Sequence, residues 1–202
     1  MNNKENLPVL VIGGAGYIGS HVVLELCERG IPVVVFDNLS SGYKNNIDSR
    51  ADFIHGDILD QENLKRCFHD KYRAVFHFAA LKAAGDSMDN PGPYSRINIA
   101  GSVNILNQMV DSEVRSFIFS STASVYGEPE YLPIDESHPL KPVNYYGFTK
   151  LLVENLSQWY SELKGIRYAA LRYFNAVGYD NNQRILGIEK HPANLVPIIM
   201  EV

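Results

Sequence analysis

Short apolar runs alternate with longer amphipathic stretches along this chain. The first run, Val9–Ile12, is uninterrupted and rich in β-branched side chains, which is typical of a strand buried on both faces. Further runs predict strands over residues 33–36, 51–55, 74–78, 116–119 and 168–171. Apolar positions at helical spacing predict a helix that contains Ile18, Val22 and Leu26, and others over residues 61–69, 94–110 and 144–163.

This alternation of strands and helices predicts an α/β fold, a doubly wound parallel sheet with helices on both faces. One more helix is predicted to start near Asn194, which suits an N-cap. Its apolar face reaches the last residue without a capping signal. We therefore expect the chain to be a truncated part of a longer protein.

Three glycines follow the first predicted strand: Gly13, Gly16 and Gly19. The first allows a tight turn, the second lets a pyrophosphate approach the backbone, and the third lets helix and strand pack closely. The helix N-terminus then points at the phosphates. Asp37 ends the next strand about 20 residues further on, as expected of an acid that binds a ribose hydroxyl. Its charge repels a 2′-phosphate, so the sequence predicts a Rossmann dinucleotide site for NAD rather than NADP.

Composition and charge narrow the class of protein. The 202 residues are 46% apolar and 20% charged, which is typical of a globular protein. A net charge of −5, a pI near 5.7 and the lack of a basic cluster argue against a nucleic-acid partner. The apolar runs are short and residues 1–6 are polar, so we expect neither a membrane span nor a signal peptide. Cys27 and Cys67 lack metal or redox spacing, which favours reduced thiols, no metal site and a cytoplasmic location.

Tyr146 and Lys150 lie four residues apart, on one face of the helix predicted over residues 144–163. Alone, such a pair more often marks a solvated helix face. This helix, however, follows the fifth strand of a nucleotide-binding sheet, where ligands bind at the carboxyl ends of the strands. A nearby ammonium and a nicotinamide cation favour the phenolate, and Thr122 can bind the same substrate oxygen. The pattern predicts removal of a hydroxyl proton by Tyr146 while a hydride passes to NAD⁺.

Several motifs occur in one order along the chain. They are Gly13-x-x-Gly16-x-x-Gly19, Asp37-Asn38-Leu39, Gly56-Asp57-Ile58, Phe78-Ala79-Ala80-Leu81-Lys82, Ser121-Thr122 with Val125-Tyr126-Gly127, Tyr146-x-x-x-Lys150 and Arg172-Tyr173-Phe174-Asn175. With these motifs the chain resembles the extended short-chain dehydrogenase/reductase family, and most closely its members that epimerise C4 of a UDP-hexose. The resemblance spans the whole chain but only about three-fifths of a typical member.

The resemblance implies interconversion of UDP-glucose and UDP-galactose through a 4-keto sugar, with NAD as a tightly bound prosthetic group. It implies an NAD-binding domain over residues 1–174, the truncated beginning of a substrate-binding domain over residues 175–202, and a homodimer formed through the two long helices. The implied catalytic residues are Thr122, Tyr146 and Lys150. Besides the three glycines, the implied cofactor contacts are Tyr17, Ile18, Asp37, Asn38, Leu39, Ser40, Ser41, Gly42, Asp57, Ile58, Phe78, Ala79, Ala80, Leu81, Lys82, Asn98, Tyr146, Lys150 and Phe174. The implied substrate contacts are Lys82, Thr122, Tyr146, Asn175, Asn194 and Leu195.

Other functions and simpler structural roles stay open at this point. Dehydratases of the family carry an acidic pair where this chain has Ala123 and Ser124, and Ser124 also argues against UDP-glucuronate decarboxylases. A non-catalytic NAD sensor typically lacks the tyrosine–lysine pair. Ala193 replaces a frequent family asparagine, and residues 178–191 depart from the commonest pattern. The structural alternatives are a turn or cap for Asp57, Thr122 and Asn175, solvent exposure for Lys82 and Asn98, and a core position for His77.

Overall fold

Six parallel strands form one sheet in the computed structural model, which describes residues 6–188 and 190. In chain order they are β1 (Val9–Ile12), β2 (Val33–Asp37), β3 (Asp52–His55), β4 (Ala74–His77), β5 (Ser116–Ser120) and β6 (Arg167–Leu171). Across the sheet the order is β3-β2-β1-β4-β5-β6, which confirms the predicted doubly wound architecture. All six predicted strands are present, and their ends differ from the prediction by at most one residue.

The helices that connect the strands are α1 (Tyr17–Glu28), α2 (Gln61–Cys67), α3 (Ala84–Asp89), α4 (Pro91–Tyr94), α5 (Gly101–Asp111) and α6 (Tyr145–Lys164). A π-helical stretch, Ser95–Ala100, joins α4 to α5, so the helix predicted over residues 94–110 contains a wider turn. The sequence pattern misses α3, because only Ser87 of its six residues is buried. The helix predicted from Asn194 lies outside the described residues.

Hydrophobic side chains cover the two faces of the sheet in separate clusters. On one face, α2, α5 and α6 pack on the sheet through residues that include Leu10, Ile12, Leu64, Val75, Ile105, Leu106, Phe117, Phe119 and Val153. On the other face, Val23 and Cys27 of α1 pack on Val9, Val11, Val33 and Val35. Every residue of β1 and β2 is therefore buried, as the uninterrupted apolar runs predict.

Helix α1 carries apolar residues on two sides. Its buried residues include Val23, Leu24 and Cys27, whereas Ile18, Val22 and Leu26 are only half-buried. These three line a cavity of about 470 Å³ together with residues that include Phe76 and Val177. The periodicity of Ile18, Val22 and Leu26 thus predicts the helix correctly but does not mark its core face, because a second apolar row lies beside it.

Both cysteines are buried free thiols, and burial raises the pKa of Cys67 to about 12. They act as small packing residues in the two clusters. Within residues 6–188 and 190, no helix combines the length and hydropathy that a bilayer crossing requires.

Candidate active site

The loop after β1 is built from close backbone contacts. Gly13 has a φ of +80°, and a Cβ there would lie 2.5 Å from the backbone nitrogen of Ala79. A Cβ on Gly19 would lie 2.2 Å from the backbone oxygen of Gly13. At Gly16, by contrast, the nearest atom to a Cβ would be 3.5 Å away, which is an ordinary van der Waals contact, so the surrounding protein does not require a glycine there. The loop is thus a backbone-lined cradle at the N-terminus of α1, which suits an anionic pyrophosphate.

Asp37 closes one side of this cradle. Its Oδ2 accepts a hydrogen bond from the backbone nitrogen of Ala15 at 3.0 Å, and its Oδ1 accepts one from that of Leu39 at 2.7 Å. Burial raises the pKa of the Asp37 carboxyl, and these two hydrogen bonds oppose the shift. Each carboxylate oxygen keeps a lone pair, so the group can still accept hydrogen bonds from ribose hydroxyls.

The loops after β2 and β3 contact each other beside Asp37. Asn38 donates from Nδ2 to Oδ2 of Asp57 at 3.0 Å, and Oδ1 of Asp57 accepts from the backbone nitrogen of Leu59 at 2.8 Å. Asp57 therefore does cap its turn, while it also joins the predicted adenosine loop. Ile58 is buried in the hydrophobic core. The other predicted residues of the loop after β2 are the half-buried Leu39, the exposed Ser40 and Ser41, and the buried Gly42.

Asn98 fixes the loop after β4. It is 2% exposed, and its Oδ1 accepts from the backbone nitrogen of Leu81 at 2.8 Å. Its Nδ2 donates to the backbone oxygen of Leu81 at 3.0 Å and to Oγ1 of Thr149 at 3.1 Å. The exposed alternative for Asn98 is therefore wrong, and its amide holds the loop in which the half-buried Phe78, Ala79, Ala80, Leu81 and Lys82 follow the glycine cradle.

The residues Thr122, Tyr146 and Lys150 lie together where the C-terminal end of β5 meets the N-terminal end of α6. Lys150 is 3% exposed, and its Nζ donates to the backbone oxygen of Ser120 at 2.8 Å. The same nitrogen lies 5.8 Å from the centroid of the Tyr146 ring. The hydroxyl of Thr122 donates to Oγ of Ser124 at 3.2 Å and accepts from the backbone nitrogen of Ser124 at 3.1 Å. It also acts on the phenol of Tyr146, whose pKa it lowers. Tyr146 and Lys150 therefore do not mark a solvated helix face.

Burial dominates the electrostatics of the tyrosine–lysine pair. It raises the pKa of Tyr146 to about 12, although the hydrogen bond with Thr122 opposes the shift. It lowers the pKa of Lys150 to about 7. The expected lowering of the Tyr146 pKa is therefore not found in the protein alone, because desolvation of the phenol outweighs its stabilising contacts.

Other predicted residues lie further from this cluster. The hydroxyl of Tyr17 bonds to both the oxygen and the nitrogen of Gly178, at 2.6 and 2.8 Å, so only the backbone of Tyr17 is left to serve the cradle. Ile18 lines the cavity beside α1. Phe174 and Asn175 are exposed just beyond β6. Asn194 and Leu195 lie outside the described residues.

Sequence reasoning missed a buried polar group behind the site. Glu154 pairs with Arg172, and Ser121 donates a short hydrogen bond to Oε1 of Glu154. Ser120 and Tyr173 also share a short hydrogen bond between their hydroxyls. The available signal is the spacing of Tyr146, Lys150 and Glu154, since positions four apart share one helix face. As the core alternative foresees, His77 is 1% exposed, with its Nε2 2.9 Å from Oγ of Ser102.

The parallel sheet, the glycine cradle and the tyrosine–lysine pair with its buried lysine define a Rossmann-fold protein of the short-chain dehydrogenase/reductase type. The sequence model of the NAD dependent epimerase/dehydratase family matches residues 9–197. The chain belongs to this family.

Proteins similar to this chain include UDP-glucose 4-epimerases. That of Halalkalibacterium halodurans is 44% identical over 197 residues, which cover 97% of this chain and 59% of the relative. The crystal structure of the Brucella ovis enzyme in complex with NAD has a TM-score of 0.86 at 42% identity, covering 89% of this chain and 55% of that one. Another UDP-glucose 4-epimerase structure has a TM-score of 0.93 at 40% identity, covering 96% and 60%. The chain thus spans about three-fifths of the length of the curated relatives it matches.

Proposed function

We propose that this chain is the NAD-binding part of an enzyme that interconverts UDP-glucose and UDP-galactose. The observation that carries the proposal is the grouping of the buried Thr122 and Lys150 with the half-buried Tyr146 at the sheet edge that also holds the glycine cradle. The UDP-glucose 4-epimerases among its relatives support the choice of reaction. Ala123 and Ser124, which follow Thr122, lack the acidic groups that water elimination requires. Residues 1–174 form the NAD-binding domain in this proposal, and residues 175–202 begin the substrate-binding domain.

The residues present fit NAD. Gly16 has no side chain that would keep a pyrophosphate from the backbone, and Asp37 keeps free lone pairs for ribose hydroxyls while disfavouring a 2′-phosphate. Asn38, Asp57 and the exposed hydroxyls of the loop after β2 surround the adenosine end in this proposal. The loop of residues 78–82, held by Asn98, leads toward Tyr146 and Lys150. Phe174 completes the nicotinamide end.

Tyr146 exchanges a proton with the 4-hydroxyl of the sugar, and Thr122 orients the same oxygen. Bound NAD would supply a hydride acceptor for C4 and a hydride donor to the opposite face of the ring. A phenol with a pKa near 12 holds its proton at neutral pH, so the reaction needs positive charge beside Tyr146. Lys150, whose pKa lies near 7, supplies part of that charge from 5.8 Å. The 4-keto sugar must rotate within the site so that its opposite face meets the cofactor. This rotation requires room around Thr122 and the exposed Asn175. In this proposal Lys82, Asn175, Asn194 and Leu195 bind the UDP-sugar.

The test uses the protein at the full length of its relatives. Purified protein is denatured and its supernatant is analysed by mass spectrometry for NAD, and the intact protein is incubated with UDP-galactose. We expect released NAD near one equivalent per chain and conversion to UDP-glucose without net oxidation. Bound NAD without sugar conversion, in protein that is folded by circular dichroism, contradicts the epimerase and favours the sensor alternative. Formation of a dehydrated sugar favours a dehydratase.

We further propose a homodimer that forms through α5 and α6, in the cytoplasm. Two large apolar side chains at the C-terminal end of α6, Trp159 and Leu163, are 59% and 68% exposed. They line a cavity of about 570 Å³ between α2, α5 and α6. The free cysteines agree with a reducing compartment. Light scattering measures the mass of wild type and of Leu163→Lys. We expect a dimeric wild type and a monomeric variant. If both proteins are dimers, the dimer contact lies elsewhere.

A further inference from the structure

A carboxylate is buried one helical turn beyond Lys150. Glu154 is 6% exposed, and it lies on the same face of α6 as Tyr146 and Lys150 because each pair is four residues apart. Its Oε2 lies 2.6 Å from a terminal nitrogen of Arg172, and Nε of Arg172 lies 3.1 Å from both carboxylate oxygens. The remaining contact is the hydroxyl of Ser121, which is 1% exposed.

Fold stability alone is a weak explanation for this group. Taking a carboxylate and a guanidinium out of water costs several kcal/mol, and a well-packed apolar pair often serves stability equally well. Buried, fully bonded polar groups instead fix one geometry among alternatives. The Glu154 contacts are of this kind, because Oε1 accepts from both Ser121 and Arg172, which lie on different segments of the chain, and Oε2 accepts from two nitrogens of Arg172.

Those segments are the ones that present the proposed catalytic groups. Ser121 lies between Ser120, whose backbone oxygen accepts from Lys150, and Thr122, whose hydroxyl meets Tyr146. Arg172 begins the loop after β6, where the backbone oxygen of Tyr173 accepts from the nitrogen of Ala123 at 3.0 Å. The carboxylate of Glu154 thus connects α6 to the ends of both β5 and β6.

Arg172 has a second anchor in the loop after Thr122. Its guanidinium carbon lies 5.2 Å from the ring centroid of Tyr126, and its NH1 group lies 3.3 Å from the Tyr126 hydroxyl. Tyr126 is itself 5% exposed. The guanidinium is therefore held on two sides, and it is a rigid support for Glu154 rather than a mobile surface charge.

We propose that Glu154 is a positioning residue, which sets the distance between the hydroxyl of Thr122 and the phenol of Tyr146 by holding Ser121 and Arg172 against α6. The inference rests on the proposed function, because it assigns Glu154 to the same reaction. It predicts that loss of the Ser121 contact lowers kcat and leaves KM for the UDP-sugar nearly unchanged, since the side chains of Ser121 and Glu154 are buried and bonded to each other. A small displacement of a catalytic group costs a factor of roughly 10 to 100 in rate.

The test compares four variants of the holoenzyme. Ser121→Ala removes the hydroxyl, Ser121→Thr keeps it, and Glu154→Gln removes the charge. Ser157→Ala is the matched control, because Ser157 is also fully buried on α6 but its hydroxyl bonds only to the backbone of Val153. We expect kcat to fall roughly tenfold in Ser121→Ala and further in Glu154→Gln, to recover in Ser121→Thr, and to stay within about twofold in Ser157→Ala.

Hydrogen exchange gives a readout that does not depend on turnover. The amides of Ala123 and Ser124 are bonded to Tyr173 and Thr122, so their protection reports order at the end of β5. We expect faster exchange there in Ser121→Ala and unchanged exchange in Ser157→Ala. Equal effects of both serine variants on kcat and exchange, or an unchanged kcat in Ser121→Ala, overturn the inference. An inactive wild type that holds NAD contradicts the proposed function instead, and the exchange experiment still decides whether Glu154 orders the loop.

Discussion

The amine of Lys150 lies 2.8 Å from the backbone oxygen of Ser120, and this hydrogen bond connects the proposed catalytic face of α6 to the end of β5. Strand β5 brings its polar end to the sheet edge where the glycine cradle lies, and Lys150 reaches that end through the protein interior. A fully buried amine is costly unless it is bonded. Ser120 supplies the bond, and burial still lowers the pKa of Lys150 to about 7.

This buried lysine predicts a pH dependence of stability. Between pH 7 and about 10.5 the unfolded lysine holds a proton that the folded one has released, so unfolding takes up a proton and the free energy of unfolding rises with pH. The cost of burial is fully present below pH 7. Relative to wild type, Lys150→Met should therefore gain stability as pH falls from about 9.5 to 7, by on the order of 3 kcal/mol.

Denaturant unfolding of both proteins at several pH values measures this change. Lys65→Met is the control, because Lys65 is exposed on α2. The absolute stability of Lys150→Met also includes the loss of the bond to Ser120, so only the change with pH is decisive. Parallel curves for Lys150→Met and wild type contradict the assignment.

The glycine cradle predicts that two similar substitutions have different effects. Gly16→Ala adds a methyl group 3.5 Å from its nearest neighbour, at a φ of −75°, so the protein should fold and lose NAD binding by roughly 100-fold or more. Gly19→Ala places the methyl 2.2 Å from the oxygen of Gly13, so it should destabilise the fold by about 1–3 kcal/mol. Isothermal titration with NAD and thermal unfolding separate the two effects. Gly85→Ala, where a Cβ meets nothing within 4 Å, is the control, and wild-type affinity in Gly16→Ala removes the pyrophosphate from this position.

Tyr146 is expected to be essential for turnover and dispensable for cofactor binding. Tyr146→Phe removes the proton acceptor and keeps the ring, so kcat should fall by roughly 10²- to 10⁴-fold while NAD content stays near that of wild type. Tyr160→Phe is the matched control, because that phenol lies on the same helix but bonds to Oδ1 of Asn107 at 2.6 Å, away from the sheet edge. Equal rates for Tyr146→Phe and wild type end the catalytic assignment.

Much of this arrangement follows from local sequence signals. The apolar runs predict the strands, and Gly13 to Gly19 predict the cradle. The glycines are informative because a positive φ and close backbone contacts leave few other residue types possible there. The partners of Asn98 and Glu154 do not follow from such signals. Leu81 and Thr149, or Ser121 and Arg172, meet only when distant segments pack. The sequence also does not predict the raised pKa of Tyr146, because desolvation of the phenol depends on the whole surrounding fold.

Ile188 and Lys190 connect the end of the described chain to the glycine cradle and to the predicted adenosine loop. The fully buried Asn46 donates from Nδ2 to the backbone oxygens of Ala15 and Ile188, at 2.8 and 2.7 Å. Lys190 donates from its backbone nitrogen to the oxygen of Ser41 and from Nζ to that of Leu39, both at 2.7 Å. This segment is thus fastened to the glycine cradle and to the loop after Asp37.

These hydrogen bonds predict slow release of NAD, and Lys190→Met should accelerate this release. The variant loses a charged hydrogen bond to Leu39 and a cation–π contact at 5.2 Å from the Tyr43 ring, so the adenosine loop should open more often. We expect NAD to dissociate roughly tenfold faster. The kcat at saturating NAD should change little, because Lys190 contacts Leu39, Ser41 and Tyr43 at the proposed adenosine end of the site. Exchange of bound NAD for an isotopically labelled form, followed by mass spectrometry, measures the rate. Lys71→Met, at an exposed loop position, should match wild type, and so would Lys190→Met if this segment had no part in holding the cofactor.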